Sequence, residues 1–388
     1  MILTAKQVAL REYYQEVFKE WEALDNNLQN VFTPYDLCDK MIDKVCKYCE
    51  LKGKKILVTN LEFAIVLIER GIDPKDICFL TDCEQKAKFG QKIGVEIMSD
   101  DFFDFFEKVQ EKKEVRTWDC VIENPPYQNP KNKHKSLWQR FVEMGFNIAN
   151  DGGIISFIHP SAWRKPNHPL YSVFQDKQLE YLEIHNQSDG QKTFGCGTRY
   201  DWYVLINKAK KNDTIILDED GVSKKIDMSS KPFIPHKHSE VLEKCIGGKG
   251  EKRIKVIHSR SMYGNDKPWM SKEKDDKFLY PCIYSTPCGK PPVLLYSSKK
   301  DGHFGVKKVV LGKASPENCF YDEKGEYGVT NNCIAIEVDS TKEAENIIAA
   351  IRSEKFIEMM DICKWSGFSI EPEVFEFFKK DFWKEFVQ

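Results

Sequence analysis

The chain has 388 residues, 41% apolar and 12% aromatic, and its 58 Lys and Arg against 60 Asp and Glu leave a net charge of −2. These values exclude a disordered chain and a global positive field, and the length suggests two domains or three, each able to bury a core. A nucleic-acid partner would therefore need local basic patches. The 13 cysteines are odd in number and irregularly spaced, which argues against a complete disulfide framework. Cys46-x-x-Cys49 has no second pair downstream, so it reads as a helical coincidence and no metal is expected. Residues 1–19 mix charges every few positions and lack the apolar centre of a signal peptide. No stretch approaches the ~20 apolar residues of a membrane span, so no membrane partner is expected and a reducing cytoplasm is the expected location.

Val8, Tyr13, Val17, Trp21 and Leu24 near helical spacing predict a helix from Ala5 to Leu28, and a second runs from Tyr35 to Cys49 with Leu37, Met41, Ile42 and Val45 on one stripe. The pattern then alternates. Short apolar strands are predicted at 55–59, 77–81, 95–98, 118–123 and 154–159, with helices over 61–70 and 136–150 among them. That order predicts an α/β fold, Rossmann-like, with a mostly parallel sheet and helices on both faces, whose ligands gather at the carboxyl ends of the strands. Further strands are predicted at 200–207 and 215–218. From about Ser229 the alternation stops, and the rest reads as a second domain of α+β character with helical patterns over 341–360 and 371–386.

The tetrapeptide Asn124-Pro125-Pro126-Tyr127 closes the apolar run 118–123 and carries the most information. Two prolines stop the strand, because neither can donate to a sheet ladder and each fixes its own φ. The rigid loop that results holds an amide side chain, a backbone carbonyl and an aromatic ring together at the sheet edge. Such a group can grip a planar amine, with two acceptors for its N–H bonds and a ring to stack on its base.

Together with their order, these residues resemble the DNA N6-adenine methyltransferases of the γ motif order, which use S-adenosylmethionine. The resemblance spans roughly residues 31–208 and implies an N-terminal helical extension (1–30), a methyltransferase domain (31–228) and a target-recognition domain (229–388). It implies that Thr33 and Pro34, in Val31-Phe32-Thr33-Pro34, help to hold the cofactor, that Asp82 accepts from the ribose hydroxyls, and that Asp101-Phe102 receives the adenine amine, with Asp100 as the alternative acid. Asn124, Pro125, Pro126 and Tyr127 are then the catalytic element. Phe194, in Phe194-Gly195-Cys196-Gly197-Thr198, would stack on the extruded base opposite Tyr127, with Tyr200 as the alternative. One departure stands out. The family's acid-x-Gly-x-Gly loop is replaced by Val58-Thr59-Asn60-Leu61-Glu62-Phe63, with no glycine between Gly53 and Gly71. Asn60 and Glu62 are then expected to meet the cofactor through a different loop shape.

The reaction so implied is direct methyl transfer to the exocyclic nitrogen of a flipped-out adenine. The Asn124 side-chain oxygen and the Pro125 carbonyl take its two N–H bonds, and catalysis lies in positioning and electrostatics. Double-stranded DNA is the implied partner, and the class admits a cognate restriction endonuclease. Backbone contacts are expected from Lys131, Lys133 and Lys135 after the catalytic loop and from Arg164 and Lys165. Lys299, Lys300, Lys307 and Lys308 are expected to flank a β-hairpin turn at Gly302 to Gly305. The same tetrapeptide also occurs in enzymes that methylate RNA or protein glutamine, and the missing glycines admit a non-catalytic DNA-binding relative.

Overall fold

The structure, a computed structural model, describes residues 3–24, 31–98, 102–111, 117–129, 132–258, 262–365, 367 and 369–387. It divides into two compact units, Met1–Trp163 with His168–Lys231, and Arg164–Asn167 with Pro232–Gln388.

In the first unit the elements run α1 (Ala5–Leu24), α2 (Tyr35–Val45), β1 (Ile56–Val58), α3 (Leu61–Glu69), β2 (Ile77–Leu80), α4 (Glu84–Ile93), β3 (Glu96–Met98), α5 (Phe102–Gln110) and β4 (Trp118–Glu123). They continue with β5 (Gln128–Asn129), β6 (Asn132–Ser136), α6 (Trp138–Ile148), β7 (Ala149–Pro160), α7 (Pro169–Asp176), β8 (Lys177–His185), α8 (Gln187–Phe194), β9 (Tyr200–Ala209), β10 (Thr214–Leu217) and β11 (Ser223–Ile226). Strands β1 and β2 are short and apolar throughout, and every residue of both is buried, as a strand covered on two faces requires. Helix α2 starts just after Pro34 and buries Leu37, Cys38, Met41, Ile42 and Val45, the stripe its spacing predicts.

These strands form one nine-stranded sheet in the order β11-β10-β8-β9-β7-β4-β1-β2-β3. The pairs from β3 across to β7 are all parallel, while β9 lies antiparallel between β7 and β8. The predicted α/β class with a largely parallel sheet is the one observed. Its register decides where the site lies: Val58 pairs with both Phe79 and Ile122. The residues following β1, β2 and β4 therefore leave the sheet side by side along one edge. Helix α1 is tied to this unit, with Tyr14 and Phe18 buried in its core. Arg11 donates to Glu69 and Asp39.

Helices α4, α5, α7 and α8 and strand β8 were not among the predicted elements. Strand β7 also begins five residues earlier than its apolar run, at Ala149. The extra residues cross Gly152 at φ +75, a conformation the run of side chains does not advertise.

The second unit holds α9 (Glu240–Cys245), β12 (Val256–His258), β13 (Met270–Ser271), β14 (Tyr280–Ser285), β15 (Val293–Ser297), β16 (Lys308–Gly312), β17 (Phe320–Asp322), β18 (Gly328–Val329), β19 (Cys333–Glu337), α10 (Thr341–Arg352), α11 (Glu354–Asp361) and α12 (Pro372–Phe375). Its strands make two four-stranded sheets, β12-β19-β16-β17 and β13-β15-β14-β18. The hairpin expected around Gly302 to Gly305 is not formed, because β15 and β16 belong to different sheets. Strand β15 pairs with β13 and β14, and β16 with β17 and β19. An apolar core of side chains from β16, β19, α10, α11 and α12 holds the first of these sheets against its helices.

Candidate active site

Asn124 follows β4 directly, and its surroundings are drawn from three segments far apart in sequence. Its backbone N–H donates to the Asn60 Oδ1 at 2.8 Å, and its side-chain Nδ2 donates to the Thr33 Oγ1 at 3.1 Å. Thr59 Oγ1 donates to the same Asn60 oxygen at 3.1 Å, and Thr33 N–H donates to Glu62 Oε1 at 2.9 Å. The segment before α2, the turn from β1 into α3, and the loop after β4 are thereby locked into one network. Thr33 is 0% exposed and Asn124 4%. The Asn124 amide is thus anchored through Nδ2 on Thr33, and neither of these two bonds uses its Oδ1. Pro125 and Pro126 are buried behind it.

This geometry changes the roles expected of Thr33, Asn60 and Glu62. Each is buried and takes part in the network, Thr33 through its N–H and hydroxyl, Asn60 through Oδ1 and Glu62 through Oε1. Asn60 precedes α3 with extended backbone but makes no side-chain cap, because its oxygen is taken by Asn124. The α3 start therefore has no N-cap side chain, although the Glu62 N–H is met by its own carboxyl. Burial pushes the Glu62 carboxyl up from its ordinary value. Its own N–H, that of Thr33 and the charge of the buried Lys86 act in the opposite direction.

Asp82 lies just past β2 and is exposed. Pro34, before α2, is half-buried. Asp101 lies outside the described residues. Phe102 opens α5, and its side chain lies outside them too.

Tyr127 is half-buried, with its hydroxyl fully buried and without a hydrogen bond among the described residues. Burial raises its hydroxyl's ionisation well above the ordinary value, reinforced by Cys196, Tyr200 and Asp201 nearby. The catalytic loop and the segment after α8 are thus brought together. Phe194 ends α8, half-buried, with its ring edge-on to Tyr200 at 5.0 Å. Tyr200 itself is buried and stacked flat on His185 at 4.3 Å, so Phe194 is the aromatic better placed to meet a ligand. The chain approaches itself closely at Gly190, where a Cβ would stand 2.1 Å from the Thr198 carbonyl oxygen. Below this segment Glu183 accepts from Tyr181 Oη at 2.7 Å, from Lys40 and from His185. Burial would raise its pKa, but the bonds from His185, Lys40 and Tyr181 win and bring it down to about 2.

The expected DNA contacts divide. Arg164 is 0% exposed and donates to the carbonyls of Ile234 and Pro235, each at 2.9 Å, so it braces the second unit and meets no phosphate. Lys308 is likewise 0% exposed and pairs with the buried Asp322 at 2.7 Å. Lys308 opens β16, all of whose residues are buried, whereas Lys307 lies just outside the strand and is exposed. Lys165 is partly exposed beside Glu371 at 3.4 Å. Lys299, Lys300 and Lys307 are exposed, and Lys299 Nζ sits 3.7 Å from the centroid of the Trp269 ring. Lys131 and the side chains of Lys133 and Lys135 lie outside the described residues. Among the described residues no group of three His, Cys, Asp or Glu side chains is placed to hold a metal ion. No described helix is long and apolar enough to cross a membrane.

The sheet edge, the amide and the network all fall in or against one stretch of chain. Residues 50–194 match the Eco57I restriction-modification methylase family. The matched stretch runs from before β1 to the last residue of α8 and contains Asn60, Glu62, Asp82, the catalytic loop and Phe194. That stretch is therefore similar to the methylases of restriction-modification systems. No curated protein gives a significant sequence match.

Among solved structures, the type IIG restriction endonuclease BpuSI is 10% identical with a TM-score of 0.43, over 91% of this chain and 59% of that one. A type I restriction-modification system is 11% identical, TM-score 0.42, over 56% and 51%. The methyltransferase subunit of the type I system from Streptococcus thermophilus is 12% identical, TM-score 0.37, over 50% and 49%. The chain thus spans about half the length of the type I proteins it resembles, and no functional assignment rests on these resemblances.

Proposed function

We propose that this protein transfers a methyl group from S-adenosylmethionine to the exocyclic N6 of an adenine flipped out of duplex DNA, in a restriction-modification or phage setting. The observation that carries the reading is the Asn124 amide at the strand end, fixed by Thr33 and Asn60 through two bonds, neither of which uses its Oδ1. Oδ1 and the Pro125 carbonyl are two acceptors in a rigid loop, which matches the two N–H bonds of a planar amine. Accepting both favours a pyramidal nitrogen whose lone pair is free to attack.

When bound, the cofactor supplies an electrophilic methyl group. The donor set suits it. The exposed Asp82 carboxylate after β2 can accept from vicinal hydroxyls, and the uncapped start of α3 offers backbone N–H groups to a carboxylate. Asp101 and Phe102 are assigned to the adenine ring of the cofactor by motif order. Tyr127 and Phe194 are assigned to the two faces of the target base, and stacking of about 1–3 kcal/mol each offsets an extrusion cost of a few kcal/mol. DNA backbone contacts are assigned to Lys165, Lys299, Lys300 and Lys307, and by sequence position to Lys131, Lys133 and Lys135. A cognate endonuclease is the partner that such a methyltransferase would protect against.

The test is incubation of the purified protein with methyl-labelled cofactor and duplex DNA, followed by nucleoside analysis by mass spectrometry. N6-methyladenine is the expected product. Label in RNA or in protein glutamine, with none in DNA, would replace the substrate. An absence of saturable cofactor binding by calorimetry, with or without DNA, would leave a non-catalytic DNA-binding protein.

A further inference from the structure

Glu123 ends β4 and is covalently joined to Asn124. It is 0% exposed, and neither carboxyl oxygen has a hydrogen-bond partner among the described residues. Strand alternation turns it to the face opposite Ile122, which lies in the core with α2 and α3. Its neighbour across the sheet is Phe157, and Phe157 in turn contacts Tyr203 with ring centroids 6.4 Å apart. The Tyr203 hydroxyl is also buried and has no partner among the described residues.

The titratable groups on this face are Tyr203 and Asp201 from β9, His159 from β7, and the Tyr127 hydroxyl from the loop, while α6 packs Trp138 and Gly145 against it. Asp201 Oδ2 accepts from Trp163 Nε1 at 2.8 Å, and His159 bonds the Pro160 carbonyl at 3.1 Å and stacks on Trp138. No cation from these groups faces Glu123 to support a negative charge. Burial therefore holds the carboxyl neutral, far above its ordinary range.

We propose that Glu123 is a positioning residue for methyl transfer that acts only while uncharged, as a neutral acid keeping the Asn124–Tyr127 loop seated on Thr33 and Asn60. This rests on the function proposed above. An ionised Glu123 would seek water, and the loop attached to it is the nearest piece of chain that leads there, since Tyr127 is only half-buried. Drawing the loop outward would break the Asn124 bonds to Asn60 and Thr33, and the amide oxygen would lose its aim.

Three measurements on the full-length protein test this. Isotope-edited infrared spectroscopy of wild type against Glu123→Gln should show a protonated carboxyl stretch at neutral pH. A carboxylate band in its place overturns the proposal. Hydrogen exchange at the Asn124 N–H should accelerate beyond the intrinsic base catalysis in wild type once the pH passes the raised Glu123 pKa, and not in Glu123→Gln. Identical exchange in the two overturns it, and this readout stands even if the protein methylates nothing. Single-turnover methylation, with cofactor and DNA saturating, should fall about tenfold per pH unit beyond the Glu123 pKa in wild type. In Glu123→Gln that alkaline fall should be lost, while the pH dependence of cofactor affinity is the same in both. Superimposable rate profiles overturn the positioning role, whereas an absence of DNA methylation by either protein overturns the function reading instead.

Discussion

Replacing Thr33 by Val keeps nearly the same volume but removes the hydroxyl that accepts from Asn124 Nδ2 at 3.1 Å. Both residues are buried, so the amide N–H left behind has no water to turn to. An unpaired buried donor costs about 1–3 kcal/mol, and here the same bond also decides which way the amide oxygen points. If that whole cost is felt at the transition state, single-turnover methylation slows by about 5- to 150-fold. Cofactor affinity measured by calorimetry should stay within about twofold, because the lost bond is to the catalytic loop. Thr33→Ser restores the hydroxyl and should recover most of the rate. The reasoning is refuted if Thr33→Val methylates at the wild-type rate. It is also refuted if the loss falls on cofactor binding and the serine variant shares it.

Asn124→Ala removes the proposed acceptor itself and should abolish transfer while leaving cofactor affinity nearly unchanged; substantial turnover would remove Asn124 from its assigned role. For Phe194→Ala, weaker capture of the extruded base is expected, read as a reduced fluorescence rise from 2-aminopurine at the target position. Asp322→Ala leaves Lys308 charged and unpaired in the interior of the second unit. It should cost about 3–5 kcal/mol in denaturant unfolding of that unit, and a change well under 1 kcal/mol would contradict the buried pairing. Glu183 has a folded pKa of about 2, below its ordinary value, so the stability it contributes is full above the unfolded carboxylate pKa and is lost as pH falls toward 2. Thermal midpoints between about pH 5 and about pH 3 should therefore drop more steeply in wild type than in Glu183→Gln.

Much of the chain's chemistry could be read from local pattern. Short apolar strands alternating with amphipathic helices determined the parallel sheet, because a strand buried on both faces must be apolar throughout and a crossover helix must show a 3.6-residue stripe. Two prolines after an apolar run determined a stiff loop at a strand end, whatever surrounds it. The helices at 84–93, 102–110 and 187–194 were not read from the sequence, although Phe102, Phe105, Phe106 and Val109 of the second follow helical spacing.

What only the tertiary structure decided is pairing and side. The register of β1 against β4 carries Asn60 to Asn124 across 64 positions of sequence, and Thr33 arrives from another 27 residues upstream. Thr33, Asn60 and Glu62, expected to meet the cofactor, are joined with Asn124 in one buried network for that reason. Arg164 and Lys308 read as surface cations and proved to be buried, because what covers a side chain and which groups it meets are settled only by the packing of the folded chain. Glu123 passed unnoticed at the end of an apolar run, since a carboxyl group's charge follows from the groups facing it, and those are assembled only in three dimensions.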